Sequence, residues 1–297
     1  MSRVVVVDAP AKVNLFLRVL HRREDGYREL ETLFQAVSLA DEIRLSLSSP
    51  DGRPARGGGT VTLEVDGPDL GPVESNLAFR AAALFQQTTG LDADVHIHLT
   101  KRIPAGAGLG GGSSDAAAVL RGLASLVDFV DHESLATMGT HLGSDVPFFL
   151  GSASLALGRG RGDVLAPLPP LPELSVVLAL PPVHVSTAEA YGAVTGSRAR
   201  SGTPDGEVRP NALFEDLDWE RVQALVENDF DAVVSDQHPE IGASLEGLRA
   251  EGARCAVLSG SGSASFGLFA GPAQAERAAN VLTSRLGWRF LHVTTRI

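Results

Sequence analysis

Lysine is almost absent from this chain. Lysine and arginine together number 25 among 297 residues, but only Lys12 and Lys101 are lysines, so nearly every basic residue is an arginine. Arginine does not replace a compact ammonium beside a phosphate without a change of geometry. The role of each lysine therefore needs an explanation.

Cysteine and long apolar runs are also scarce, and the net charge is negative. Cys255 is the only cysteine, which excludes an intrachain disulfide and a cysteine-based zinc cluster and suits a reducing cytoplasm. Apolar stretches such as Leu174 to Val183 are shorter than the roughly 20 residues of a membrane helix, and the four valines after Arg3 are too few for a signal peptide. The formal net charge of −11 argues against a nucleic-acid or anionic-membrane surface. We expect a cytoplasmic protein with neither a membrane nor a nucleic-acid partner.

Apolar periodicity predicts a mixture of strands and helices in two domains, 1–155 and 156–297. The segment from Gly196 to Pro210 lacks periodicity and is rich in glycine, so we expect a long mobile loop there. The predicted strands are Val4 to Val7 (buried), Leu15 to Leu20, Leu33 to Ile43, Thr60 to Val65, Val95 to Thr100 and Cys255 to Leu258. The predicted helices are Leu77 to Thr88, capped by Asn76, Glu133 to Leu142, Trp219 to Phe230 and Ile241 to Glu251.

The strongest motif is the first glycine turn, residues 104–114, with five glycines within seven residues. It follows a predicted strand and enters a predicted helix capped by Ser113 or Ser114. Backbone N–H groups at such a helix start form a concave site for phosphate oxygens. The alternative is a flexible connection, which rarely lies between a strand and a capped helix.

Two other phosphate-binding patterns fit less well. A P-loop needs lysine after glycine, and neither lysine follows a glycine, so this pattern is excluded. The dinucleotide-binding spacing is met formally by Gly106, Gly108 and Gly111, with Asp128 or Asp131 about twenty residues later. In that motif the acid ends a second apolar strand, whereas helix-like sequence follows here.

Single residues elsewhere have both functional and structural interpretations. Lys12 lies between apolar strand stretches, so it needs a partner carboxylate if buried, or reaches solvent from an edge. Asp145, in a Gly-Ser-Asp-Val-Pro run, is a turn residue if taken alone. The second glycine turn, residues 258–263, either brings further donors to the same ligand or is a plain hairpin. Tyr27 and Tyr191, the only tyrosines, either stack on a flat base or lie at a boundary.

His96 and His98 lie two apart on a predicted strand. With no third ligand suggested nearby, a solvated strand face is favoured over a metal site.

Taken together, five motifs resemble the GHMP kinases: residues 10–17, 23–27, 104–117, 143–147 and 259–262. They recur in that family's order and cover nearly the whole chain. Within the family they are most similar to the members that phosphorylate a cytidine diphosphate sugar alcohol in non-mevalonate isoprenoid precursor synthesis.

The resemblance implies a two-domain α+β fold with the active site in the inter-domain cleft, ATP and Mg²⁺ as cofactors, and a small-molecule substrate bearing a cytidine diphosphate group. It implies that Asp145 is the base and that Lys12 lies beside it. It places ATP on the first glycine turn, namely Pro104, Ala105, Gly106, Ala107, Gly108, Leu109, Gly110, Gly111, Gly112, Ser113 and Ser114. It leaves the metal ligands open, with Ser114 a candidate from its position.

The resemblance also implies the substrate contacts. Asn14 and Thr187 would contact the methylerythritol and diphosphate portions, and Tyr27 and Tyr191 would face the cytosine ring. The family usually has histidine at the position of Arg28. Arginine has no acceptor, so Arg28 can address cytosine O2 or N3 but not the exocyclic amine.

Three alternatives stay open at this point. One is a GHMP kinase acting on another alcohol, such as homoserine or mevalonate. The second is a nicotinamide-dependent oxidoreductase, and the third is a nucleotide-binding module without catalysis.

Overall fold

The computed structural model describes residues 3–48, 59–127, 129–201 and 206–297, with the side chains of 196–201 left out. The chain forms two compact units whose segments alternate along the sequence. Unit 1 comprises Met1–Ala11, Leu39–Ala105 and Gly110–Ser152, and unit 2 comprises Lys12–Ser38, Gly106–Leu109 and Ala153–Ile297. The first glycine turn thus contributes to both units. The division predicted at residue 155 stays a prediction.

Within its described residues, unit 1 combines strands with four α-helices. The elements are parts of β1 (Arg3–Arg22) and β2 (Arg28–Ser48), then β3 (Val61–Asp66), α1 (Leu77–Thr89), β4 (Asp94–Thr100), α2 (Gly111–Leu126), α3 (His132–Leu142) and α4 (Val146–Leu150). Glu42 to Ser48 of β2 pair antiparallel with β4, and β4 pairs parallel with β3. Helix α2 packs on α1 and α4, and a Cβ at Gly122 would lie 2.4 Å from Leu45 Cδ1, so the helix approaches the sheet closely there.

Unit 2 contains the remaining parts of β1 and β2 and most of the later elements of the chain. These further elements are β5 (Leu155–Gly160), β6 (Val164–Pro167), β7 (Ser175–Leu180), α5 (Thr187–Ser201), α6 (Trp219–Leu225), α7 (Asp231–Gln237), α8 (Pro239–Ala250), β8 (Cys255–Leu258), β9 (Ser265–Phe269), α9 (Pro272–Leu286) and β10 (Arg289–Thr294). Four of the strands form an antiparallel sheet in the order β10-β7-β9-β8. Helices α8 and α9 pack on this sheet and enclose an apolar core that includes Phe230, Leu248 and Leu282. In addition, β2 pairs with β5, and β5 pairs with β6.

Several predicted elements are confirmed. Asn76 caps α1 by accepting a hydrogen bond from the Ala78 amide. The predicted strands 95–100 and 255–258 and the helix 133–142 are present within a residue or two of their predicted bounds. The described elements are a mixture of helices and strands, as the sequence predicts.

Three predictions are wrong in detail. The segment Val4 to Val7 is a strand but is not buried, since Val4 and Val6 are 49% and 48% exposed. The helix predicted to reach Phe230 ends at Leu225, because the following segment pairs with β1: the Leu17 amide donates to Glu227 O.

The third concerns the predicted loop 196–210. Helix α5 continues through its first six residues to Ser201, residues 202–205 lie outside the described part of the chain, and 206–210 have no regular structure. Among the helices of the described ranges, none has the length and apolar character needed to cross a bilayer.

Candidate active site

The first glycine turn has a backbone that favours glycine at alternate positions. Gly106, Gly108 and Gly110 have φ values of +67°, +78° and +71°. This left-handed region is open to glycine at no steric cost, whereas other residues are strained there. The intervening Ala107 and Leu109 are buried. The turn is therefore an ordered structure, and the interpretation as a flexible connection is wrong.

Helix α2 begins at Gly111, earlier than predicted. Its N-cap is Gly110, and no side chain caps it, so the predicted caps Ser113 and Ser114 are wrong. The first amides of a helix have no acceptor within it, and Gly112 has no side chain to cover its amide and is exposed. A 16-residue helix also presents the positive end of its dipole at this point. The helix start can thus bind phosphate oxygens.

A buried group of three charges, here called the carboxylate cluster, lies beside this helix start. It consists of Lys101, Asp41 and Asp115, whose side chains are 3%, 0% and 2% exposed. Lys101 Nζ lies 2.5 Å from Asp41 Oδ2 and 2.7 Å from Asp115 Oδ2. Burial raises the pKa of Asp115 to about 7, although the Lys101 ammonium opposes this. A Cβ at Gly111 would lie 2.9 Å from Lys101 Nζ, so this glycine leaves room for the cluster.

Lys12, the other lysine, is 3% exposed. Its ammonium donates to Asn14 Oδ1 at 2.7 Å and to Gly108 O at 2.8 Å, and it lies 5.6 Å from the centre of the Phe34 ring. The alternative of a solvent-reaching edge lysine is therefore wrong. The predicted partner Asp145 belongs to unit 1, whereas Lys12 belongs to unit 2, and their pairing stays a prediction.

The second glycine turn connects the antiparallel strands β8 and β9, and it also contacts residues 106–109 within unit 2. Ser259 Oγ donates to Gly108 O at 2.9 Å, and the Ala264 amide donates to Ala107 O at 3.0 Å. A Cβ at Gly108 would lie 2.1 Å from Ser259 O. The turn is thus a hairpin that also packs on the first glycine turn.

Asp145 is the N-cap of α4 and is partly exposed. A Cβ at Gly143 would lie 4.0 Å from Ser113 Oγ, so the turn before Asp145 lies beside the first turn of α2 in unit 1. A turn that carries an acidic residue beside a helix start is a suitable arrangement for a base that acts next to a bound phosphate.

Asn14 and Thr187 differ in their surroundings. Asn14 is 2% exposed, and besides contacting Lys12 it donates to Thr32 Oγ1 at 2.7 Å and accepts from the Gly260 amide at 2.8 Å. Thr187 is exposed at the start of α5, with its Oγ1 3.1 Å from Ser261 Oγ. Thr187 is therefore an exposed residue, while Asn14 is buried and already has partners inside the protein.

The predicted cytosine contacts all lie in unit 2. Tyr27 is 56% exposed, and the Arg161 guanidinium lies 4.9 Å from its ring centre. Tyr191 packs edge-on against Phe230 at 4.9 Å. Arg28 donates to Leu20 O at 3.0 Å and to Thr195 Oγ1 at 3.2 Å, so its guanidinium joins β1 to α5.

Sequence reasoning misses the carboxylate cluster and also Asn228, whose Nδ2 donates to the carbonyl oxygens of Leu258 and Gly260 in the second glycine turn. The sequence predicts Asn228 inside a helix, and nothing in its neighbourhood distinguishes it. Lys101 carried a signal in the rarity of lysine, but its partner Asp41 lies 60 residues away. Such pairings become visible only in the folded chain.

His96 and His98 are exposed on β4, and His96 Nδ1 lies 2.7 Å from Thr62 Oγ1. The oxidoreductase alternative is wrong, because α2 is followed by α3 and α4 and not by a strand that ends at an acid. Asp131 instead caps α3, and Asp128 lies outside the described residues.

Comparison with known proteins identifies the class. The family model described as GHMP kinases N terminal domain matches residues 76–152, and the one described as GHMP kinases C terminal matches residues 211–287. The protein is therefore a two-domain small-molecule kinase, for which ATP is the phosphoryl donor.

Similarity to individual proteins shows which group of GHMP kinases the chain belongs to. A Solibacter usitatus (strain Ellin6076) protein named 4-diphosphocytidyl-2-C-methyl-D-erythritol kinase is 45% identical over 265 residues, which cover 88% of this chain and 80% of the relative. A crystal structure of 4-(cytidine 5'-diphospho)-2C-methyl-D-erythritol kinase shares 40% identity and a TM-score of 0.77, and covers 99% of both chains. The chain belongs to the 4-diphosphocytidyl-2-C-methyl-D-erythritol kinase family.

A more distant structure shares the fold. Mevalonate kinase from L. major, solved with R-mevalonate, is 18% identical with a TM-score of 0.72, and the match covers 99% of this chain and 97% of that one. At this identity the likeness shows the fold alone.

Proposed function

We propose that this chain transfers the γ-phosphoryl group of ATP to the 2-hydroxyl of 4-diphosphocytidyl-2-C-methyl-D-erythritol in non-mevalonate isoprenoid precursor synthesis. Identity of 40 to 45% to proteins of that name along nearly the whole chain supports the substrate. The structural observation that carries the chemistry is the position of the Asp145 turn beside the uncovered amides at the start of α2.

In the proposed reaction the substrate hydroxyl attacks the γ-phosphorus directly. Asp145 accepts the hydroxyl proton, the new O–P bond forms as the bond to the ADP oxygen breaks, and the amides of the first glycine turn stabilise the phosphate charge. Lys12, positioned by Asn14 and Gly108, supplies a fixed ammonium for the same charge. No covalent enzyme intermediate is involved.

Mg²⁺ would neutralise charge between the β- and γ-phosphates. Ser114 Oγ fits a role as ligand, because it is buried at the start of α2 with no hydrogen-bond partner. Among the described residues, no group of three histidine, cysteine or acidic side chains is placed to hold a metal ion.

Substrate recognition would fall to Thr187 and Asn14 for the diphosphate and methylerythritol portions and to Tyr27 and Tyr191 for the cytosine ring. Arg28 would act beside these tyrosines. We further propose that residues 1–155 form the nucleotide-binding domain, which carries the first glycine turn and Asp145, and that residues 156–297 complete the substrate site. We also propose a cytoplasmic location, which suits the single cysteine.

The direct test is ADP release from Mg·ATP with a panel of alcohols: the cytidine diphosphate substrate, homoserine, mevalonate and none. We expect release with the first only. Release with homoserine or mevalonate would assign another GHMP kinase activity, and ATP binding without alcohol-dependent release would indicate a binding module.

The base is tested by Asp145→Asn, which keeps a side chain of nearly the same size at the start of α4 but accepts no proton. We expect kcat to fall by about 10²-fold or more while ATP binding persists. Asp218→Asn, the same change at the N-cap of α6, is the control and should leave kcat unchanged. Full turnover by the Asp145 variant would remove it from the mechanism.

A further inference from the structure

A segment distant in sequence from every motif holds the second glycine turn in place. Asn228 is 7% exposed, and its Nδ2 donates to Leu258 O and to Gly260 O, both at 2.9 Å. Three residues later, the Asp231 carboxylate accepts from the Leu258 amide at 2.9 Å. The side chains of the segment 228–231 thus bind both carbonyl oxygens and an amide of the second glycine turn.

The Asn228 side chain is itself fixed. Its Oδ1 accepts from the Phe230 amide at 2.9 Å, which leaves the Nδ2 group aimed at the turn. On either side of Asn228 the backbone is bonded to Leu17 of β1: the Leu17 amide donates to Glu227 O at 2.8 Å, and the Asp229 amide donates to Leu17 O at 3.0 Å. Asn228 is therefore attached to the strand that also carries Lys12 and Asn14.

The second glycine turn is in turn connected to Lys12. The Gly260 amide and Lys12 Nζ both donate to the same atom, Asn14 Oδ1, at 2.8 Å and 2.7 Å. Ser259 Oγ and Lys12 Nζ likewise share Gly108 O, and a Cβ at Gly260 would lie 3.6 Å from Lys12 Nζ. A shift of residues 258–260 would therefore move the acceptors that define the ammonium position.

We propose that Asn228 is a positioning residue, which acts through Gly260 and Asn14 to set the position of the Lys12 ammonium. Asn228 need not touch substrate. The inference rests on the proposed kinase function, because it assigns Lys12 a role in phosphoryl transfer. Misplacement of a reacting group by about 1 Å can cost on the order of 10²-fold in rate, so a small movement of the turn is enough.

The main variant is Asn228→Asp, which replaces a donor by a carboxylate oxygen facing two carbonyl oxygens. Asn228→Ala removes the donor without adding charge, and it tests the positioning role if the aspartate variant does not fold. The matched control is Asn211→Asp, the same chemical change at a side chain that accepts from Arg159 Nη1 and does not contact the glycine turns.

Two readouts are needed. The first is steady-state kinetics, in which we expect kcat to fall at least tenfold while KM for the cytidine substrate stays within about twofold. The second is amide hydrogen exchange of residues 258–260, which we expect to accelerate in both Asn228 variants and not in the control. A merely structural role would lower the amount of folded enzyme and leave kcat per folded molecule unchanged.

The outcomes separate this inference from the proposed function. If kcat stays within twofold of wild type, or falls while exchange at 258–260 is unaltered, the positioning role is overturned. If the wild-type protein does not phosphorylate the cytidine substrate, the proposed function fails instead. In that case the exchange measurement still shows whether Asn228 holds the turn.

Discussion

The two glycine turns have similar composition but are stabilised in different ways. The first turn, 104–114, leads into a long helix and lies beside the buried charges of Asp41, Lys101 and Asp115. The second turn, 258–263, leads into a strand, and its backbone is bonded to the side chains of Asn14, Asn228 and Asp231. Glycine content therefore does not define one role: the first turn leads into a helix start whose amides are not capped by a side chain, whereas backbone groups of Leu258 and Gly260 in the second turn are bonded to side chains.

The largest expected loss of stability comes from a substitution in the carboxylate cluster, which lies beside the first turn. Lys101→Met would leave Asp41 and Asp115 facing each other without a cation. We expect a loss of about 3 to 5 kcal/mol in the free energy of unfolding, as when one partner of a buried pair is removed. Chemical denaturation at pH 8 measures it.

Asp115→Asn is the matched control, since it leaves one carboxylate for the one ammonium. Its destabilisation should be much smaller, because the ionised form of Asp115 is already disfavoured by burial. Equal losses in the two variants would show that the cluster does not act as a charge balance.

Gly108→Ala tests the close packing of the first glycine turn on the second. The new Cβ would lie 2.1 Å from Ser259 O at a φ of +78°, so both contact and conformation are unfavourable. We expect a loss of about 2 to 4 kcal/mol in unfolding free energy. Thermal and urea denaturation would measure it.

Gly112→Ala is the comparison within the same turn. Its Cβ would meet only Leu77 Cδ1, at 3.5 Å, in a helical backbone. It should leave stability unchanged or raise it by about 1 kcal/mol, while ATP affinity falls if the Gly112 amide is covered. A stable Gly108 variant would contradict the close packing of the turns.

The two turns should also differ in their response to pH. Burial raises the pKa of Asp231, beside the second turn, to about 6, and that of Asp115, beside the first, to about 7. Both acids bind protons more tightly in the folded state, so they add stability below about pH 4 that is lost as the pH rises through these values. The Asp231 contribution is on the order of 2 to 3 kcal/mol.

Denaturation of Asp115→Asn and Asp231→Asn between pH 4 and 8 separates these contributions. Relative to wild type, the Asp231 variant should lose the slope that ends near pH 6, and the Asp115 variant the slope that ends near pH 7. Parallel profiles of unfolding free energy against pH for all three proteins would argue against both raised pKa values.

The smallest effect is expected at Ser259. Ser259→Ala removes one donor to Gly108 O, which still accepts from Lys12 Nζ. The loss should be about 1 kcal/mol. Ser265→Ala is the control: the buried Ser265 hydroxyl has no hydrogen-bond partner, so its removal should be neutral or stabilising. A larger loss at Ser265 than at Ser259 would reverse this assignment.

Local pattern predicted the parts of the fold that depend on local chemistry. Asn76 before an apolar helical face and the alternation around Val95 to Leu99 led to the correct elements. The sequence also indicates the first glycine turn, because five glycines lie within seven residues. The predicted cap at Ser113 or Ser114 is wrong, since Gly110, in the left-handed conformation, is the N-cap and no side chain caps the helix.

What sequence could not predict depends on contacts between distant residues. The pairing of Glu227 and Asp229 with Leu17 ends a helix that propensity would continue. The partners of Lys101 Nζ and of Asn228 Nδ2 lie 14 to 60 residues away. Buried polar side chains are paired in folded proteins, but the sequence alone does not say with what.

The placement of the two lysines has a practical consequence for following unfolding. Each unit contains one of them, and both side chains are almost inaccessible. An amine-acylating reagent should therefore modify neither side chain in the native protein. Peptide mass spectrometry after a brief pulse at increasing urea would then report the opening of unit 2 from Lys12 and that of unit 1 from Lys101, without any engineered label.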